Sequence, residues 1–468
     1  MQIRILLFIS LVFPSILLAQ HQEVHVAPHL WKGKKSVAED STSLLFAFKH
    51  GKVHGNLRYF FMATENQRHL TDSYAHAAGG GLFYETGSYK GFQMGVGGYF
   101  IYNTASSDMS KVDPYTNAVN RYEASLFDIE NPANKHDLDR LEELYLKYNF
   151  GKSHLTAGKQ LINTPFINLQ DGRMRPTEVG GLYGEIFPGK KNKLEGGYLH
   201  EISPRGTVDW YGIGESIGIY SNGTNIDGTK GNYAQNIESK GIYLVGYTHT
   251  LPNGHSLKFW NVLVDNVFNT SQIQWDAKKG NWVAGLQYTE QHAIHHGGNE
   301  DPTKTYFDPS QMSRVFSTKL GWENSQWKTS VNYTRITAEG RYLMPREWGR
   351  DPFYTFMPRE RNEGFGDVHA FVGKLNFHPH NGPLKASVAY GLYKLPDVKQ
   401  VALNKYGLPS YNQLNLELNY EFEGFLEGLE IQGLYVHKYN QGETYGNEKY
   451  MINKVNMSNY NVVLNFHF

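Results

Sequence analysis

The sequence predicts an all-β protein, a transmembrane antiparallel up-and-down β-barrel of about eighteen strands with an inward-folded loop. Three observations support this fold: alternation of apolar and polar residues, strands of about 10 to 12 residues, and regular exchange of short turns with long loops. The chain has 468 residues, with 32 Tyr, 26 Phe and 48 Gly. Its mean hydropathy is nevertheless −0.51. A composition rich in aromatic residues and glycine, yet polar on average, favours a strand-based protein over a helical membrane protein.

The alternation is clearest over 414–422, where every second residue is apolar and the residues between are polar. The same period of two runs through 144–150, 327–334 and 460–468. Each segment therefore has one apolar face. In a soluble sandwich that face would point into a core, whereas in a membrane barrel it points to lipid.

Strand length and aromatic placement favour the barrel. The segments 91–102 and 281–292 are as long as a tilted membrane strand requires. Aromatic residues gather at strand ends, as in 59–61, 99–102 and 466–468, where they would form interfacial girdles.

The connections alternate between short turns and long polar insertions. The long insertions cover 103–139, 163–178, 204–239, 292–312, 338–367 and 440–458. With both termini in the periplasm, all the long loops fall at one end of the barrel. The count of eighteen leaves sixteen or twenty open, because 273–275 reads as a weak strand.

The N-terminus has the layout of a secretory signal peptide: Arg4, an apolar run over 5–18, and Ala19 before the expected cut. The predicted organisation is a signal peptide over 1–19, a periplasmic segment with a short amphipathic stretch over 20–52, and a barrel over 53–468. The chain has no Cys, and 45 basic residues balance 45 acidic ones. These numbers point away from disulfides, a Cys-linked lipid anchor and a nucleic-acid partner.

The segment 43–61, with Gly-Lys-Val before an aromatic strand that carries Arg58, resembles the start of the OprD family of substrate-specific outer-membrane porins. The stretch 158–182, with Arg173 and Arg175 before a Pro and paired glycines, is similar to that family's constriction loop. The terminal Phe468 resembles the aromatic residue read by the barrel-assembly machinery.

This resemblance implies an eighteen-stranded channel in the bacterial outer membrane. Such channels take up small carboxylates or amino acids past a ladder of basic side chains, through a waist of inward-folded loops. The expected partners are small hydrophilic solutes, outer-membrane lipid and the assembly machinery, in a monomer or a trimer. No cofactor is predicted.

Strand parity places several polar residues on the inner face. They are Arg58, Lys147, Lys319, Lys328, Lys374, Asn415 and Glu417. A charge facing lipid at mid-membrane would cost about 2–4 kcal/mol, so these residues are expected to face water. They either solvate the lumen or form a selectivity ladder.

Two arginine-containing loops are candidate sites. In the constriction candidate, Arg173 and Arg175 are expected to enter the pore, with Asp171 as an opposing charge; the alternative is a loop folded outward. The second cluster is predicted to form salt bridges in a long outer loop. It contains Arg341, Arg346, Arg350, Arg359 and Arg361, interleaved with Glu339, Glu347, Glu360 and Glu363.

His292, His295 and His296 are interpreted as solvated loop residues, and no metal site is predicted. No catalytic motif is present, so the chain is not predicted to be an enzyme. The competing hypothesis is an envelope β-barrel hydrolase or a secreted sugar-binding β-protein.

Overall fold

The computed structural model describes residues 42–170, 172–380 and 382–468. The expected signal peptide over 1–19 and the constriction residue Asp171 lie outside the described residues and stay predictions.

The described chain is almost entirely strand and loop. The strands are β1 (Lys52–Glu65), β2 (Ser73–Glu85), β3 (Phe92–Ser106), β4 (Arg140–Phe150), β5 (Ser153–Gln160), β6 (Glu178–Ile186), β7 (Asn192–Ser203), β8 (Tyr211–Gly212), β9 (Ile242–Thr250), β10 (Ser256–Val264), β11 (Phe268–Lys279), β12 (Trp282–Ala293), β13 (Met312–Glu323), β14 (Trp327–Ile336), β15 (Val368–Phe377), β16 (Leu384–Lys394), β17 (Tyr411–Glu421), β18 (Leu429–Asn440) and β19 (Met457–His467). The helices are α1 (Leu44–Lys49) and α2 (Ile213–Ser216), with short 3-10 turns at Ala124–Leu126, Pro252–Gly254, Pro302–Lys304, Gly424–Leu426 and Glu448–Tyr450. No helix in the described ranges has the length and apolar character needed to cross a membrane.

The strands form one closed antiparallel sheet. Each long strand pairs with the next, and β1 pairs with β19 to close the barrel, with Arg58 opposite Asn465. The two-residue β8 only extends β7, which pairs directly with β9. The wall therefore has eighteen strands, as the sequence predicts. The segment 273–275, which the sequence left doubtful, lies inside β11.

The loops divide between the two ends as expected. The end that holds the start of β1 and the end of β19 carries only short turns, and the long loops lie at the other end together with two shorter connections, 66–72 and 265–267. One long connection, 395–410 between β16 and β17, was not predicted from the sequence.

The wall shows why alternation specifies this fold. In β17 the outward side chains of Leu416 and Leu418 are 41% and 57% exposed, whereas the inward Gln413 and Asn415 are buried. An exposed apolar outer face is stable only against lipid. The inner face is polar, and the long loops that fill much of the lumen bury it.

Candidate functional site in the barrel lumen

The loop over 337–367 crosses the lumen along the inner wall and narrows it. Successive strands hold its backbone through side chains that donate hydrogen bonds to its carbonyl oxygens. The donors and acceptors are Gln287 of β12 to Pro352 (3.1 Å), Lys374 of β15 to Tyr354 (2.8 Å), Tyr393 of β16 to Thr355 (3.0 Å), Asn415 of β17 to Pro358 (3.1 Å) and Lys438 of β18 to Arg359 (2.7 Å). We call this segment, residues 352–359, the inner belt.

The expectation that this segment is a long outer loop is therefore wrong, because the segment folds into the barrel. Trp348, Tyr342 and Tyr354 are each 0% exposed. Aromatic side chains of this size leave water for an apolar environment, and here that environment is the packed interior of the lumen. The signal was present in the sequence as aromatic and Met residues throughout 342–357.

The ion pairing expected for this cluster does occur, but inside the barrel. The Arg346 guanidinium lies 2.7 Å from the Glu363 carboxylate and stacks 3.8 Å from the Tyr406 ring centroid. The Tyr406 hydroxyl donates to the same carboxylate. Arg341 instead donates to the carbonyls of Thr224 and Asn225, so it links two loops.

The loop over 161–177 also folds inward, and its two arginines differ in role. Arg175 donates to the carbonyls of Leu138 (3.0 Å) and Thr207 (2.6 Å), which belong to two other long loops. Its side chain is 0% exposed. The expectation that Arg175 projects into the pore is corrected: its guanidinium holds the loops of the waist together.

Arg173 is also buried in this loop, but its contacts differ from those of Arg175. Its guanidinium donates to the Ser125 hydroxyl and to the Gly172 carbonyl. Burial, and then the neighbouring Arg359, lower the pKa of Arg173 to about 9. A role for Arg173 in the pore stays a prediction.

A buried ion pair on β4 connects the inward-folded loop 161–177 to the barrel wall. Arg140 binds both carboxylate oxygens of Glu142 at 2.8 and 2.9 Å. It also donates to the Ser203 hydroxyl (2.7 Å) and to the carbonyls of Pro204 (3.0 Å) and Pro176 (2.9 Å). Each of the two side chains is about 1% exposed. A buried ion pair is stable only when both charged groups have all their hydrogen bonds.

Between the inward-folded loops and the wall formed by β17, β18, β19 and β1 lies a cavity whose empty space of about 660 Å³ includes part that is open to solvent. Three of its lining residues are arginines, Arg58, Arg350 and Arg359, and one is the carboxylate Glu417. The remaining lining is apolar or amide-bearing: Phe60, Phe356, Pro358, Leu434, Val463, Gln170, Gln432, Asn461, Gly172 and Gly433. The cavity thus joins guanidinium groups to apolar walls.

Arg359 is held firmly at the edge of this cavity. Its φ of 68° is uncommon for a residue with a Cβ, and it lies at the end of the inner belt. The guanidinium donates to the amide oxygens of Asn459 (2.9 Å) and Asn461, both inward residues of β19. A strained backbone fixed by several hydrogen bonds is frequent at functional positions.

Further cations continue from Arg359 toward the long-loop end, around the Tyr122 hydroxyl. Burial raises the pKa of Tyr122, but Lys438, Arg121, Arg359 and Arg346 oppose this effect and bring the pKa down to about 8. The Arg121 guanidinium lies 5.3 Å from the Tyr122 ring. Positively charged side chains therefore continue from the cavity toward the long-loop end. Arg121 and Tyr122 belong to the loop between β3 and β4, and neither was predicted as a site residue.

The inward strand residues that the sequence predicts occupy different places. Arg58 and Glu417 line the cavity, whereas Lys374 and Asn415 support the inner belt. Lys319 lies 6.0 Å from the Tyr354 ring, also beside the belt. Lys147 pairs with Glu85 at 3.8 Å, and Lys328 is exposed near the short-turn end. Two of the seven residues, Lys374 and Asn415, thus hold the inner belt in place.

Lys405, in the loop after β16, lies inside a box of tyrosine rings. Its ammonium is 4.6 Å from the Tyr233 centroid, 4.7 Å from Tyr306 and 5.4 Å from Tyr406. The side chain is buried, and its Nζ makes no hydrogen bond with the described residues. The rings thus join three long loops around one cation.

Lys405→Met is expected to stabilise the protein at pH 7 by on the order of 2 kcal/mol. Burial lowers the pKa of Lys405 from 10.5 to about 8, so the unfolded chain binds the proton more tightly. Wild-type stability should therefore rise between about pH 8 and 10.5, and the advantage of the Met variant should shrink over the same window. Urea unfolding at several pH values measures this difference. A difference that does not change with pH would contradict it.

Among the described residues, no group of three His, Asp or Glu side chains is arranged to hold a metal ion.

The comparisons with known proteins give a uniform result at the level of structure. No family model matches the chain, and no curated protein matches it. Acinetobacter baumannii OccAB3 aligns with a TM-score of 0.70 and 15% identity, covering 90% of this chain and 100% of that one. Pseudomonas aeruginosa OccK9 (OpdG) aligns with a TM-score of 0.68 and 12% identity, covering 90% and 99%.

Pseudomonas aeruginosa OpdK, in a structure with vanillate, aligns with a TM-score of 0.66 and 14% identity, again over 90% and 99% of the two chains. The shared architecture extends over nearly the full length of all three structures. The fold implied by the resemblance to the OprD family is confirmed: the chain is a closed, eighteen-stranded antiparallel barrel of the OprD/Occ type.

Proposed function

We propose that the chain is an outer-membrane porin of the OprD type that admits small hydrophilic solutes by passive diffusion and favours carboxylates with an apolar body. The observation that carries this proposal is the cavity, in which Arg58, Arg350 and Arg359 stand beside the apolar walls of Phe60 and Phe356. Guanidinium groups bind carboxylates in a planar, two-point geometry. The apolar walls suit the remainder of such a molecule.

Other features support the same proposal. The wall has an apolar outer face suited to lipid, and the N-terminal sequence is that expected of an exported protein. The terminal Phe468 pairs with Gly55 through two backbone hydrogen bonds of 3.0 and 3.1 Å, which puts the proposed assembly signal at the barrel seam. One structural neighbour was solved with vanillate, an aromatic carboxylate.

Planar bilayer recording tests the proposal. We expect stepwise conductance from the folded protein, and a reversal potential in a KCl gradient that shows preference for chloride. Benzoate should reduce the KCl current at lower concentration than benzyl alcohol or benzylamine, which share its ring but lack its negative charge.

Two results would count against the proposal. Correctly folded barrels without conductance would favour the envelope hydrolase or sugar-binding alternative. Equal effects of benzoate and benzyl alcohol would remove the carboxylate preference while leaving the channel itself intact.

A further inference from the structure

Helix α1 packs on the outside of the barrel at the short-turn end. The Gly87 amide donates to the Ala47 carbonyl at 2.9 Å, and the Tyr84 hydroxyl donates to the Phe48 carbonyl. Tyr84 pairs with Val53 and Val96, whose side chains are 62% and 44% exposed on the outer face. Because cross-strand partners share a face, Tyr84 also points outward, and α1 lies against it.

The helix presents large apolar side chains to its surroundings. Leu44, Leu45, Phe46 and Phe48 are 57%, 65%, 42% and 44% exposed, and only Ala47 is buried. Ser43 caps the helix by accepting a hydrogen bond from the Phe46 amide at 3.1 Å. An apolar surface of this kind, continuous with the outward faces of Val53 and Leu82, is stable at a lipid interface.

The same end of the barrel carries exposed lysines. They lie on α1 and on the turns that follow β2, β4 and β6: Lys49, Lys90, Lys152, Lys190 and Lys191. The segments 42–52, 86–91, 151–152 and 187–191 contain no Asp or Glu. The turn over 422–428, by contrast, carries Glu423 and Glu427 and no Lys or Arg. One sector of this rim is therefore basic.

We propose that α1 and these lysine-bearing turns form a docking surface for anionic phospholipid of the periplasmic leaflet. The apolar side chains of α1 enter the boundary between headgroups and acyl chains, and the lysines extend to lipid phosphates. Each lysine near a negatively charged surface adds to the attraction. The inference rests on the proposed placement of the barrel in the outer membrane.

Because the chain has no Cys, Leu45→Cys gives a single labelling site on α1. The full-length protein, labelled there with bimane, is folded into phosphatidylcholine vesicles. Each sample contains an equal small fraction of either brominated phosphatidylglycerol or brominated phosphatidylcholine. We expect quenching by the brominated phosphatidylglycerol to exceed that by the brominated phosphatidylcholine about twofold or more.

Two controls isolate the lysines. Bimane at Glu427→Cys, in the acidic turn, should be quenched equally by both lipids. Replacement of Lys49, Lys90, Lys152, Lys190 and Lys191 by Gln should bring the ratio at position 45 to about one without altering barrel formation. All five residues lie outside the lumen cavity.

Equal quenching by the two lipids at position 45 would overturn the anionic preference. An absence of quenching by either lipid would show that α1 faces water or another protein, and would overturn the docking surface as a whole. Conductance recorded in the same lipids keeps the two proposals apart. A barrel that conducts but shows no lipid preference would contradict only the lipid-docking inference. A barrel that shows the lipid preference but does not conduct would contradict only the porin assignment.

Discussion

Replacing Arg359 with Gln is expected to lower the anion-to-cation permeability ratio about tenfold in 0.1 M salt, with a smaller effect in 1 M salt. Arg359 lines the cavity and stands next to Arg173, so its charge acts on an ion that enters the cavity. An ion that comes within about 6 Å of a unit charge in water gains or loses about 0.7 kcal/mol, so removing the charge weakens attraction of anions and repulsion of cations together. Reversal potentials in salt gradients measure the ratio.

Two variants serve as matched controls for Arg359→Gln. Arg359→Lys keeps the charge and should retain most of the anion preference. Arg175→Gln removes a guanidinium that is more deeply buried than that of Arg359 and lies outside the cavity lining, so it should affect stability more than selectivity. An unchanged reversal potential in folded Arg359→Gln would refute the assigned role of the cavity arginines.

Arg140→Met is expected to destabilise the barrel by about 3–5 kcal/mol. The substitution leaves Glu142 buried without its bidentate partner, and it frees the Pro176 and Pro204 carbonyls from their donor. Because Pro176 belongs to the constriction loop, the open-channel current should also become noisier. Urea titration followed by the gel-mobility difference between folded and unfolded barrel measures the stability.

The double variant Arg140→Met, Glu142→Leu tests the physical reason. If the cost comes from a stranded carboxylate, removing that carboxylate should recover a large part of the lost stability. A double variant no more stable than the single variant would instead point to the lost loop contacts of Arg140.

The wall was predictable because each of its strands carries its own signal. In β17 a period of two fixes which side chains face lipid, and in β11 the weak segment 273–275 is supported by longer flanks. The inner belt was not predictable in the same way, since a loop has no period-two alternation to show whether it folds inward or outward. The only sequence signal for its inward position is the aromatic and Met content of 342–357.

The site was predicted less completely than the fold. Parity predicts an inward position for Arg58 and Glu417, and both residues line the cavity. Arg173 and Arg175 are two residues apart in one loop, yet they have different roles. Arg175 donates hydrogen bonds to carbonyl oxygens of two other loops. Whether a loop guanidinium meets solvent or a carbonyl depends on contacts distant in sequence. Parity does not encode these contacts.

The hydrogen bonds that hold the inner belt also decide what the belt offers to a passing ion. The carbonyl oxygens of Pro352, Tyr354 and Pro358 accept from wall side chains, so their partial negative charges are directed at the wall. Channels that strip water from potassium do so by surrounding it with carbonyl oxygens. Because these three carbonyls face the wall, we expect a cation that passes the belt to keep its hydration shell.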